Sequence, residues 1–187
     1  MANFNKITEF VVANLEGGYY HPNMLQDGRV KDQRYKNSGE TMFGIDRRTG
    51  GSINTSAAGK EFWSLIDAAD AKDKWKWNYM GGSLAPKLYE YVAQMMNPIY
   101  VKLSQTYLTT EAREIVNNSP ELTFHFIYAT WNGAGWFKKF ATAINTAVKE
   151  GKTDLIQVAI SSRINSGNSL IAQGGSKISK IIKNVPR

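Results

Sequence analysis

The chain has 187 residues, enough for one compact domain or one domain with a small appendage. It is 42% hydrophobic, as folded soluble proteins are, and carries a formal net charge of +7 with a pI near 9.5. That charge favours polyanionic partners: nucleic acid, an anionic membrane or a cell wall. The absence of cysteine excludes disulfides and thiol catalysis, and no apolar run approaches the ~20 residues that span a bilayer.

In chain order, Phe4, Ile7, Val11 and Leu15 recur at helical spacing and predict a first helix from about Asn3 or Phe4 to Leu15 or Glu16. Gly17-Gly18 ends it. The stretch Tyr19 to Asn37 is polar and loop-like, with a candidate hairpin turn at Asp27-Gly28. Thr41 to Ile45 reads as a short strand that turns at Thr49-Gly50-Gly51-Ser52. Beyond it the pattern is helical. Thr55 or Ser56 caps a helix bearing Phe62, Trp63, Leu65, Ile66 and Ala69, and Ser83 caps one bearing Leu84, Leu88, Val92, Met95 and Ile99. Thr109 or Thr110 opens a short helix ending near Asn117-Asn118. Ser119-Pro120-Glu121 opens another through Phe124, Ile127, Tyr128 and Trp131, broken at Gly133 and Gly135. Trp136 to Glu150 follows, with Phe137, Phe140, Ile144 and Val148 inward, then a helix capped by Thr153. A basic amphipathic stretch with Ile178, Ile181, Ile182 and Val185 closes the chain. The expected class is α+β, predominantly helical, with a small hairpin. Its expected organisation is a first region over 1–117, which holds both motifs described next, and a helical C-terminal subdomain over 118–187.

Two motifs carry chemistry. Glu16 stands at the end of a helix, where the negative end of the macrodipole disfavours an ionised carboxylate. Apolar neighbours such as Tyr19 act in the same direction. A carboxyl kept protonated near neutral pH is what a general acid requires. The second motif is Ser38-Gly39-Glu40-Thr41-Met42-Phe43-Gly44-Ile45. Taken in order, Glu16-Gly17-Gly18-Tyr19 and Gly39-Glu40-Thr41-Met42-Phe43-Gly44-Ile45 resemble glycoside hydrolase family 108, the phage-type N-acetylmuramidases, whose signature reads E-G-G-Y, a loop, then G-G-x-T-x-F/Y-G-I. Ala129-Thr130-Trp131-Asn132-Gly133 is similar to that family's A-V-N-x-G segment. The resemblance runs from the first helix to about Arg163.

The resemblance implies a lysozyme-like fold with a hairpin beside the cleft, and cleavage of the β-1,4 bond between N-acetylmuramic acid and N-acetylglucosamine. Glu16 is then the acid. Thr41 matches the family's threonine, whose hydroxyl would hold a nucleophilic water opposite Glu16 and favour inversion. The family's D-P-G-G stands here as Lys36-Asn37-Ser38-Gly39, without the aspartate. That leaves Asp27, Asp32, Glu40 and Asp46 as candidate second carboxylates, Glu40 nearest in sequence and Asp32 next. Tyr19, Asp32, Phe43, Trp131 and Asn132 are the expected substrate-binding residues. Trp75-Lys76-Trp77 is a further candidate sugar-stacking cluster.

No metal or cofactor is expected: His21 and His125 are the only histidines, and His125 reads as a core residue. The expected partner is the peptidoglycan glycan strand, bound by a monomer, with no nucleic acid and no stable membrane insertion. Residues Met1 to Lys6 lack the features of a signal peptide. An enzyme of this kind would be made in the bacterial cytoplasm and reach the wall by holin-like release, particle delivery or secretion. Two alternatives stay open. A lytic transglycosylase needs one acid and leaves 1,6-anhydro ends. A non-catalytic peptidoglycan-binding protein would carry Glu16 without using it.

Overall fold

In the computed structural model of the protein, residues 2–15, 19–21, 39–69 and 85–164 are described. Several sequence expectations lie outside them: Glu16 and its two glycines, Asp27-Gly28, Asp32, the Trp75-Lys76-Trp77 cluster, the Ser83 cap and the basic stretch after Arg163. The described residues are predominantly helical with one small antiparallel sheet, an α+β arrangement. No helix among them is long and apolar enough to cross a membrane. The chain forms two compact units, Met1–Pro98 and Ile99–Arg187.

The first unit opens with α1 (Ala2–Asn14), which buries Phe4, Ile7, Thr8, Val11 and Val12. Three two-residue strands follow, β1 (Tyr19–Tyr20), β2 (Thr41–Met42) and β3 (Ile45–Asp46), paired antiparallel in the order β1-β2-β3. Thr41 to Ile45 is therefore not one strand. The chain reverses at Phe43-Gly44, where both residues have positive φ, 54° and 72°. This is the backbone of a two-residue primed turn, which matches the right-handed twist of the flanking strands. A bulky residue rarely adopts that conformation. Phe43 is held there by its ring, which is 0% exposed and packs against Tyr89 and Phe62 at centroid distances of 5.4 and 6.4 Å.

After β3, Asp46 Oδ1 accepts from the backbone N–H groups of Arg48 and Thr49, a side-chain-closed turn. It leads into a single-turn helix α2 (Ser52–Thr55) that periodicity does not reveal. Ser56 then caps α3 (Ala57–Ala68), its Oγ accepting from the Gly59 N–H at 3.0 Å. Phe62, Trp63 and Ile66 form its buried face. The long helix α4 (Ala85–Tyr107) adds Leu88, Tyr89, Val92, Met95 and Met96 to this core, and the division between the units falls within it.

Among the described residues, the second unit holds the end of α4 with α5 (Thr110–Asn118), α6 (Pro120–Trp131), α7 (Ala134–Lys149) and α8 (Leu155–Ile164). Its centre is α6, which packs against α5, α7 and α8 and buries six consecutive residues, Leu122 to Ile127. A helix apolar on all sides belongs in the middle of a bundle. Phe126 and Phe137 meet at 4.9 Å within a ring cluster that includes Tyr100, Tyr107 and Phe140. Thr109 and Ser119 cap α5 and α6 as their sequence pattern predicts. Two details differ from expectation. Gly135 lies inside α7, because Gly133 alone terminates the preceding stretch. The cap of α8 is Asp154 rather than Thr153, its Oδ1 accepting from the Gln157 N–H at 3.0 Å.

Candidate active site

The sheet joins the two motifs. Tyr19 faces Met42 and Tyr20 faces Thr41, so the segment that follows Glu16-Gly17-Gly18 lies directly beside the Glu40–Ile45 motif. Side chains alternate between its faces. Tyr19, Met42 and Ile45 point into the core, whereas Tyr20, Thr41 and Asp46 share the open face. Tyr20 is 56% exposed; Thr41 and Asp46 are half-buried.

Beneath the sheet, Glu40 is buried at 5% exposure. Its Oε1 accepts from the Tyr19 hydroxyl at 2.7 Å, and its Oε2 accepts from Arg47 Nη1 at 2.8 Å. Register explains the second bond: the Arg47 N–H reaches the Glu40 carbonyl at 2.9 Å, which makes the two residues a cross-strand pair. Arg47 also grips Asp67 through both Nη atoms at 2.6 Å and lies 5.0 Å above the Trp63 ring. Trp63 donates to Asn54 Oδ1 at 2.9 Å, and Asn54 donates to the Asp46 and Arg47 carbonyls at 2.9 and 2.7 Å. A hollow of about 420 Å³ opens beside Arg47, Asn54, Lys60, Trp63, Ser64 and Asp67.

Electrostatics follow from these contacts. Burial, reinforced by the Glu40 carboxylate, holds the Tyr19 phenol strongly protonated. Hydrogen bonds to Asp67 and then Glu40 raise the Arg47 guanidinium above its ordinary value despite burial. The Thr49 N–H, then the Thr49 hydroxyl and Arg48, lower the Asp46 carboxyl below the ordinary 3.8 against the opposing effect of burial. Asp46 is thus an oriented, ionised carboxylate on the open face.

The residues named from sequence separate into distinct settings. Thr41 lies on the open face of the sheet, available to a ligand. Glu40 is buried, with Oε1 held by Tyr19 and Oε2 by the Arg47 cation, which commits it to the hairpin's underside. Tyr19 and Phe43 are core residues, the first offering its hydroxyl to Glu40 and the second none of its ring to solvent. Trp131 and Asn132 belong to the second unit. Trp131 is half-buried, and the exposed Asn132 caps its own helix, its Nδ2 donating to the Tyr128 carbonyl at 2.9 Å. Glu16 and Asp32 lie outside the described residues. His21 and His125 are both buried, in different units. Among the described residues no cluster of three or more His, Asp or Glu has the arrangement of a metal site.

Sequence reasoning named Trp63 only as a helix residue and passed over Arg47, Asp67 and Asn54. Arg47 was discoverable only with the Phe43-Gly44 turn in hand, because that turn fixes which residue faces Glu40. The chain matches no protein-family model, no curated protein and no solved structure.

Proposed function

We propose that the protein is a peptidoglycan hydrolase, an N-acetylmuramidase of the glycoside hydrolase family 108 type, with Glu16 as general acid. The observation that carries this reading is the pairing of β1 with β2. Two short motifs separated by about 20 residues of intervening chain are hydrogen-bonded neighbours, and Tyr19 of one is bonded to Glu40 of the other. A pair of motifs retained by chance has no reason to interlock. A lysozyme-like cleft would set Glu16 near the open face that carries Thr41.

In this reading Glu16 protonates the leaving oxygen of the β-1,4 bond between N-acetylmuramic acid and N-acetylglucosamine. Thr41 holds water on that face. The basic surface retains the enzyme on the anionic wall, as expected of a bacteriolytic phage endolysin or a virion lysin. The wall is reached from the bacterial cytoplasm by holin-like release, by particle delivery or by secretion.

The test is release of soluble fragments from purified sacculi by the native protein and by Glu16→Gln. The native protein should solubilise the wall, and the variant should fall by at least about a hundredfold, the usual scale for loss of a general acid. Equal release by both would remove Glu16 from the chemistry.

A further inference from the structure

The hydrolase reading needs a second group to receive a proton from water, and the family's loop aspartate has no counterpart in this sequence. We propose that Asp46 is that group: paired with Thr41 across the hairpin on the open face of the sheet, it orients the attacking water and accepts its proton. The proposal rests on the muramidase reading and adds the residue that the motif leaves unassigned.

Four observations converge on Asp46. First, Glu40, the acid nearest the motif, is committed to Tyr19 and Arg47 beneath the sheet. Second, the register places Asp46 directly opposite Thr41. Met42 and Ile45 flank a two-residue turn and form the narrow, hydrogen-bonded pair, as do Glu40 and Arg47. Thr41 and Asp46 between them are the non-hydrogen-bonded pair, in which opposed side chains approach most closely. Third, the Asp46 carboxylate is pinned: Oδ1 takes the Arg48 and Thr49 N–H groups at 2.9 and 2.6 Å, and the Thr49 hydroxyl is a further donor to the carboxylate. A pinned carboxylate loses little entropy on holding a water. Fourth, Tyr20 stands beside Thr41 on the same face with its ring 56% exposed, a platform for a sugar ring next to the water site.

The step balances as a single displacement. Water oxygen forms a bond to the anomeric carbon of N-acetylmuramic acid, and the bond from that carbon to O4 of N-acetylglucosamine breaks, its electron pair leaving on O4. Glu16 gives O4 a proton, and Asp46 takes the proton that water loses. Exchange with solvent restores both carboxyl groups. The configuration at the anomeric carbon inverts, and the new reducing end is born α.

The test uses the full chain on soluble oligomers of alternating N-acetylmuramic acid and N-acetylglucosamine. Asp46→Asn keeps the Oδ1 acceptor that closes the turn and loses the charge, so it should fold with a modestly lowered melting temperature at neutral pH. Its kcat should fall about 10²- to 10⁴-fold with KM little changed. Asp46→Ala with added azide should regain turnover and form the α-configured muramyl azide, a product that a merely structural aspartate cannot generate. Near-native kcat in Asp46→Asn, alongside an inactive Glu16→Gln, would overturn Asp46 and leave the hydrolase reading standing. A β-configured azide product would also overturn it, as would anhydro ends from the native protein, since that chemistry uses no water. Full activity in Glu16→Gln would remove the hydrolase reading, and Asp46 with it.

Discussion

Arg47 carries an unusual share of the first unit. Its guanidinium serves Glu40, Asp67 and the Trp63 face at once. The two carboxylates are not equivalent, because Glu40 is buried and Asp67 is 51% exposed. Removing a partner from a buried charge costs several kcal/mol, whereas exposed ion pairs contribute little. Arg47→Ala should therefore lower the unfolding free energy by about 3 kcal/mol. Asp67→Ala should cost under about 1 kcal/mol. Arg47→Lys should fall between them, since it keeps the charge without the planar fork. Urea titrations check the order, and equal losses for Arg47→Ala and Asp67→Ala would contradict it. Asp46 supplies a pH signature. Its folded-state carboxyl is depressed below the ordinary 3.8, so its contribution to stability is present above that value and disappears as pH falls through the folded one. Acid titration of the melting temperature should be shallower below pH 4 in Asp46→Asn than in the native protein.

At the scale of the element, the Glu40–Ile45 motif is first of all a piece of construction. Glu40, Met42, Phe43 and Ile45 build the hairpin and anchor it, and Thr41 carries the one side chain of the motif on the open face. The sequence pattern concealed this, because Phe-Gly is not among the usual primed-turn pairs and the apolar run Met42–Ile45 mimics one strand. The energy comes from the ring: Phe43→Ala should cost about 3–5 kcal/mol, more than the few tenths gained by relieving a large side chain at positive φ. Gly59 is a second constraint. A Cβ there would run into the Ile53 carbonyl oxygen, a backbone atom of α2. Gly→Ala in a helix normally gains up to about 1 kcal/mol. The forced shift of two packed turns outweighs that gain, and Gly59→Ala should destabilise by about 1–3 kcal/mol. A stabilised Gly59→Ala would show that α2 yields. The cap at Ser119 was legible because a cap is read from four adjacent residues, and Ser56 and Thr109 were each narrowed to one of two neighbouring positions. Asp154 was not separated from Thr153, because both are good caps one position apart.

For the whole molecule, helical periodicity identified the long helices that bury one stripe, and α6, which buries most of its surface, was legible from its Ser119-Pro120-Glu121 start signal. Periodicity says nothing of the partnership between Tyr19–Tyr20 and Thr41–Met42. Two-residue strands have no period to detect, and their pairing is set by the core beneath them. The basic charge acts at this scale as well. Lys138 onward holds Lys and Arg residues against only Glu150 and Asp154. Sedimentation of Glu16→Gln with sacculi should be strong at low salt and largely lost at about 1 M, where the screening length falls to roughly 3 Å. Salt-independent binding would point to sugar contacts alone.

The most direct measurement is the identity of the ends that the native protein creates. Sacculi digested by native protein and by Glu16→Gln are reduced with borohydride, and the fragments are read by mass spectrometry. The account predicts new reducing N-acetylmuramic acid ends from the native protein and none above background from the variant. Intact sacculi after incubation with folded native protein, or the same ends from Glu16→Gln, would contradict it.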